Sequence, residues 1–432
     1  MVISNQVLPT SVSPQNIHSN HPYFLVAGKD TLNVWRTDGP ANTLREHVQL
    51  SQFLTYPGYG GDAHDVYQMS PIIDVNRGII IIAQASEPAG NRTSTLWVFS
   101  LETGEVLRKA ELQGRWRPYP LLYREGRVIA TLDQDPDEVP PEGRTSVVVC
   151  DAGSDMRIVG SVHLPGDLQS REAKRIITGG GVLRCVYDAP SGDIIGTSTE
   201  AYEDVLDVFR WRAGDLPASP QPDATLTLKA RLNGCDRTYP SCSATLDAST
   251  FILVVSEEVA GLIADGYHRQ MILYAIDWTT MSVRWTAEPM WGFIYDVWHV
   301  GSQGMVVVAG EREMGGWSQF YIAVLDPSTG ERRSLEVINK TPNDNTPKFW
   351  GLSEDHENPD VVVIFANGSI CIVPLADFAV NGFPRDGEDV RTERLLPELV
   401  EPDNLRVAVG HKSALLSTPD ETGTSRLCYV HW

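Results

Sequence analysis

Apolar and polar residues alternate over short runs along nearly the whole chain, the period of half-buried β-strands rather than of helices. One unit recurs: an alternating run, a turn, then a second strand. It reads "TLNVWRTDG" (31–39), "TLWVFSLETGEVL" (95–107), "SVVVCDAGSDMRIV" (146–159) and "LDVFRWRAGD" (206–215). It continues with "MILYAIDWTTMSVRW" (271–285), "FYIAVLDPSTGERRSL" (320–335), "SICIVPLADF" (369–378) and "SRLCYVHW" (425–432). The copies lie about 48 to 65 residues apart, in the range of a propeller blade with enlarged loops. Each interval supplies two more strands: after "ETGEVLRKAEL" come "YPLLYREG" and "RVIATLD", then "TSVVVCD". Helical spacing is confined to "SEEVAGLIADGYHRQ" (256–270), which is predicted as an insertion in a blade loop.

A four-stranded meander cannot bury both of its faces alone, but stacking against neighbours around an axis buries them. The predicted fold class is therefore all-β, a β-propeller of four-stranded antiparallel blades. Seven blades are expected, with eight if each terminus makes its own. Six internal units are complete. The strands at 23–37 and the run 405–432 then share a closing blade, so that both termini close the ring and no edge stays open. Residues 1–22 read as an N-terminal extension and 23–432 as one domain. The 36 glycines and 28 prolines fall between the apolar runs as turn punctuation.

"AIDWTTMSVRW" (275–285) resembles the blade motif of quinoprotein-like propellers: Ala-x-Asp, then Thr-Gly, then Trp, with Met281 where Gly is expected. "VLDPSTGERRS" (324–334) keeps Asp326, Thr329 and Gly330 but lacks the Trp, and "LETG" (101–104) keeps only the turn. At the level of pattern, nearly the whole chain resembles the WD40-like and quinoprotein-like propeller superfamilies. The Trp-Asp dipeptides of strict WD40 repeats are missing, so the resemblance is to the architecture and to no one subfamily. It implies that the motif Trp packs between blades, a structural role.

The chain has 432 residues, 42% of them hydrophobic, enough for a sizeable core. A net charge of −21 and the lack of a basic stripe disfavour nucleic-acid partners. Residues 1–15 lack the charged and apolar regions of a secretory signal, and apolar runs such as "GIIIIA" (78–83) are too short to span a membrane. A soluble, cytoplasmic protein is expected. Cys150, Cys185, Cys371 and Cys428 lie in strand-like runs and read as buried thiols; Cys235 and Cys242 could pair across a turn, but an intracellular chain keeps them reduced.

Catalytic signatures are sparse. The chain has no Gly-x-Ser-x-Gly elbow, Walker loop or His-Glu-x-x-His. "TGGGVL" (178–183) sits at a strand-to-strand turn, without the helix N-terminus that a phosphate cradle needs. Asp133, Asp135 and Asp137 begin like a calcium loop, but Glu138 replaces the Gly and Arg144 the bidentate Glu. Neither a metal nor a cofactor is expected.

The segments joining one blade's outer strand to the next blade's inner strand are rich in aromatics and cations. The first carries Tyr56, Tyr59, Asp62, His64, Asp65 and Tyr67; the second Arg115, Trp116, Arg117 and Tyr119. Later ones carry Arg237 and Tyr239, then Trp291, Tyr295, Asp296, Trp298 and His299, then Lys348 and Trp350. Arg-x-Tyr-Pro occurs twice, at 117–120 and 237–240, at equivalent points of two blades. Converging at the channel mouth, these rings and guanidinium groups would either plug it and pair with acids, or hold an organic anion or planar ligand. The leading expectation is a binding platform for a protein or small organic ligand. An enzyme would use His64 and Asp65 for acid–base work, with Tyr119 or Tyr239 as proton donor. Sugar binding through the aromatics is a third reading.

Overall fold

The computed structural model describes residues 4–8, 16–27, 32–38, 43–50, 71–86, 93–113, 122–124, 126–131, 145–151, 157–163, 183–198, 204–213, 222–235, 237–259, 269–314, 317–338, 347–365, 369–382, 393–394, 405–419 and 425–432. Their strands form eight separate antiparallel sheets, the blades of a β-propeller architecture. In chain order blade 1 spans 16–50, blade 2 72–113, blade 3 122–163 and blade 4 183–229. Blade 5 spans 237–291, blade 6 293–338 and blade 7 347–394. Blade 8 joins 406–431 to Ser4–Leu8. Blades 1 to 7 are simple meanders; blade 5 adds the short strand Met290–Trp291, paired with Gln270 and Met271.

The count is eight rather than seven, and the difference lies at the chain ends. Tyr23–Ala27 and Leu32–Asp38 do not join the C-terminal run. They have their own partners, Asn16–Asn20 and Thr43–Leu50. The C-terminal run instead takes Ser4–Leu8 as its fourth strand, from Ser4 opposite His431 to Leu8 opposite Leu427. Ser4–Leu8 and Asn16–Asn20 are thus blade strands. Both are short and polar ("SNQVL", "NIHSN"), so neither carries an alternating signal.

The chain divides into two compact units: Met1–Ile81, Val98–Leu107 and Ile338–Trp432 in one, Ile82–Trp97 and Arg108–Val337 in the other. In the second unit, Thr250–Glu258 is buried along its whole length. Its two faces serve two cores. Ile252 and Val254 pack with Val306, Val308 and Ala323 of blade 6. Phe251, Leu253 and Val255 pack with Leu206 and Val208 of blade 4. A strand covered on both faces needs no polar alternation. In the first unit, Leu416, Cys428 and Val430 of blade 8 meet Val362 and Ile364 of blade 7. From the other face, Leu415, Leu427 and Tyr429 meet Phe24, Val26 and Leu8.

The motif turns fix neighbouring blades. Asp277 accepts hydrogen bonds from the Thr279 and Thr280 amides at 2.9 and 3.0 Å. Met281 then takes a left-handed φ of 50°, the conformation for which the motif uses Gly. In blade 6, Asp326 makes the same turn and Gly330 has φ +72°. A Cβ there would lie 2.4 Å from the Trp285 ring. The Trp285 indole N–H donates to Pro327 O at 2.9 Å, so this blade 5 tryptophan is clamped onto the blade 6 turn. Val48 of blade 1 lies over Gly104 of blade 2 in the same manner.

The run 256–270 departs from the expected helix: Ser256–Glu258 end one strand and Arg269 and Gln270 begin the next, while 260–268 lie outside the described residues. A seven-residue helix instead follows the strand at 369–374, over Leu375–Asn381, where Leu375 and Phe378 are buried.

Candidate functional site

Blades 5 and 6 bring the second Arg-x-Tyr-Pro copy into a charged, aromatic cluster. Arg237–Thr245 is the edge strand of its sheet. Pro240 lies inside it, beside a register shift between Pro240 and Ser243, and not at the strand start. An edge strand at a bulge is where a missing N–H is tolerated. Tyr239 donates to Glu258 Oε1 at 2.6 Å, and Arg237 Nη1 lies 3.6 Å from Glu258 Oε2. Arg269 also pairs with Glu258, and its guanidinium stacks 3.9 Å from the Phe293 ring centroid. Burial, then the bond to Glu258, pushes the Tyr239 phenol up. Beside it, buried Glu257 accepts from the Arg231 and Leu232 amides at 2.9 and 2.8 Å and from Gln270 at 2.7 Å, anchoring the loop before the strand.

This copy of the motif is an ion network built around one carboxylate. Glu258 gathers two guanidinium groups and a phenol, so the three ionised groups sum to one positive charge. Glu258, Arg269 and Phe293 were not among the sequence candidates. The two glutamates sat in a run of helical spacing, and nothing local reveals that Glu258 faces an arginine across a strand pair.

The crossing from blade 5 to blade 6 behaves differently. Gly292, at φ +96°, separates Trp291 from Phe293, and a Cβ there would lie 2.1 Å from Glu311 O, so only glycine fits. Trp291 remains 44% and Tyr295 52% exposed, rare for aromatics in this fold. A register shift between Ile294 and Asp296 leaves Tyr295 as the extra residue. Such a bulge re-aims side chains. Ile294 and Val297 stay buried, while Tyr295 and Asp296 face solvent and the Tyr295 hydroxyl bonds Glu311. Asp296 is crowded by protein despite its exposure. Burial raises its carboxyl to about 6, against a single amide bond from Val297 at 2.9 Å.

Trp298 and His299 are half-buried, and burial pushes His299 down. Trp350 is buried in the first strand of blade 7, with Lys348 half-buried beside it; Trp350 therefore serves the core rather than an exposed face. His64, Asp65, Tyr67, Arg115, Trp116, Arg117 and Tyr119 lie outside the described residues, as do Tyr56, Tyr59, Asp62 and the 133–144 loop. Among the described residues, no group of three or more His, Cys, Asp or Glu could hold a metal ion, and no helix is long and apolar enough to cross a membrane. Neither Cys235, which is buried, nor Cys242, which is half-buried, sits in a disulfide.

The fold and this site define a β-propeller with a charged cluster and an exposed aromatic crossing on blades 5 and 6. No protein-family model and no curated protein matches the chain.

Proposed function

We propose that the protein is a binding platform whose partner docks on the crossing from blade 5 to blade 6. The observation that carries this reading is the exposure of Trp291 and Tyr295 beside a network in which Glu258 pairs with Arg237, Tyr239 and Arg269. Exposed Trp and Tyr next to a rigid scaffold are the residue types that anchor interfaces. Blade 5 and blade 6 strands hold the crossing at both ends, so little order is lost on docking. Asp296, open to solvent and crowded by protein, favours a partner that brings basic side chains.

The test is affinity capture with wild type and with a Trp291→Ala, Tyr295→Ala double variant. The reading predicts that partners held by wild type are lost from the double variant. Equal capture by both proteins would remove this segment from the interface.

A further inference from the structure

Three histidines gather where blade 8 meets blade 1, within the first unit. His21 lies on the turn between Asn16–Asn20 and Tyr23–Ala27. His411 lies on the turn between Arg406–Gly410 and Ser413–Pro419. Their ring centroids are 5.0 Å apart, tilted by 44°. His431 ends the strand Ser425–His431, opposite Ser413 on one side and Ser4 on the other. The seam is held at the same place by Ser19, whose Oγ lies 2.8 Å from both Glu354 Oε1 and Val409 O. The His21 amide donates to Glu354 Oε2 at 2.8 Å.

We propose that His21, His411 and His431 form an acid-sensitive latch: charging two of the rings loosens the seam between blades 8 and 1, together with the N-terminal strand paired to it. Two cations in neighbouring rings repel, and their neighbours decide how many charges can be offset. From the blade 7 turn come Glu354, Asp355, His356, Glu357 and Asp360. Lys412, next to His411, already occupies Asp360 at 2.7 Å and Asp355 at 3.4 Å. Trp432 also donates to Asp360, at 2.8 Å. Glu354 is the carboxylate left to face His21, and it offsets one proton, not two. The titration directions agree: burial and then His411 push both His21 and His431 down, while Glu354 opposes the shift at His21. His18, in the strand Asn16–Asn20, is half-buried and adds an acid response of its own, so the readout leaves that strand out.

Amide exchange, corrected for the intrinsic effect of pH, is measured at pH 7.5 and 5.5 over residues 4–8 and 425–431, with 250–258 of blade 5 as internal reference. The latch predicts that the seam strands lose protection on the order of tenfold at pH 5.5, as one unit of histidine titration implies. Blade 5 stays protected, and His411→Gln holds its seam protection. Seam protection unchanged at pH 5.5, or lost equally in His411→Gln, would overturn the proposal. Should that variant not fold, proton NMR titration of wild type decides. Two of the three rings must titrate in separate steps below 6.5; independent titration at the ordinary value contradicts the latch.

Discussion

Gly330 carries two constraints at once: a left-handed backbone and a tryptophan ring 2.4 Å from where any Cβ would lie. Gly330→Ala adds the left-handed penalty of about 1–2 kcal/mol to an overpacking cost of about 1–3 kcal/mol. Denaturant unfolding should therefore show a loss of roughly 2–5 kcal/mol. Met281 tests the reverse change. Glycine would relieve about 1 kcal/mol of backbone strain, but the Met281 side chain is buried in the core shared with blade 4, and emptying it costs about 2–4 kcal/mol. Met281→Gly should be net destabilising by roughly 1–3 kcal/mol, although it restores the motif. Asp296 has the opposite sign. Its folded value, about 6, lies above the ordinary 3.8, so its contribution favours the fold at low pH and is lost as pH rises through 6. Asp296→Asn should stabilise the protein at pH 7.5 by about 1 kcal/mol, after discounting for exposure, and do nothing at pH 4. Urea unfolding of the variant at the two pH values reads this directly.

At the scale of elements, strands such as "FILVV" and "MILYAI" were legible because burial on both faces leaves a continuous apolar run. The two N-terminal strands were not. "SNQVL" holds its place through distant partners: it pairs with Ser425–His431, about 420 residues on, Leu8 packs in the blade 8–blade 1 core, and Gln6 exchanges hydrogen bonds with the Leu44 backbone, 38 residues on, at 3.0 and 3.3 Å. Long-range pairing leaves no local trace. The cluster at Glu258 was illegible for the same reason, since Arg237 and Arg269 come from two different strands. Trp291 and Tyr295 were legible as candidates because their crossing is aromatic, but their exposure depends on Gly292 and on the bulge at Tyr295. Deleting residues 1–8 should unpair the edge of Ser425–His431 and open that core. Exchange protection at 425–431 is expected to collapse while 250–258 stays protected; retained protection would mean that the pairing contributes little.

For the whole molecule, net charge and titration set the working range. Burial pushes the His18 imidazole down to about 4, below the 6.5 of an unfolded histidine. The neutral form is favoured by folding, so stability is complete above pH 6.5 and declines as pH falls toward 4, by about 3 kcal/mol in all. Asp247, Asp277 and Asp355 are held below the ordinary 3.8, and their contributions are lost only at still lower pH. Acid unfolding should therefore begin in the histidine window, and His18→Gln should flatten it between pH 6.5 and 4.5. The tryptophans and tyrosines divide into scaffold and face, as equilibrium unfolding of Trp285→Ala beside the Trp291→Ala, Tyr295→Ala double variant would show. Trp285→Ala should lose about 3–5 kcal/mol and the double variant less than about 1 kcal/mol. A double variant as unstable as Trp285→Ala would instead make the exposed pair part of the scaffold.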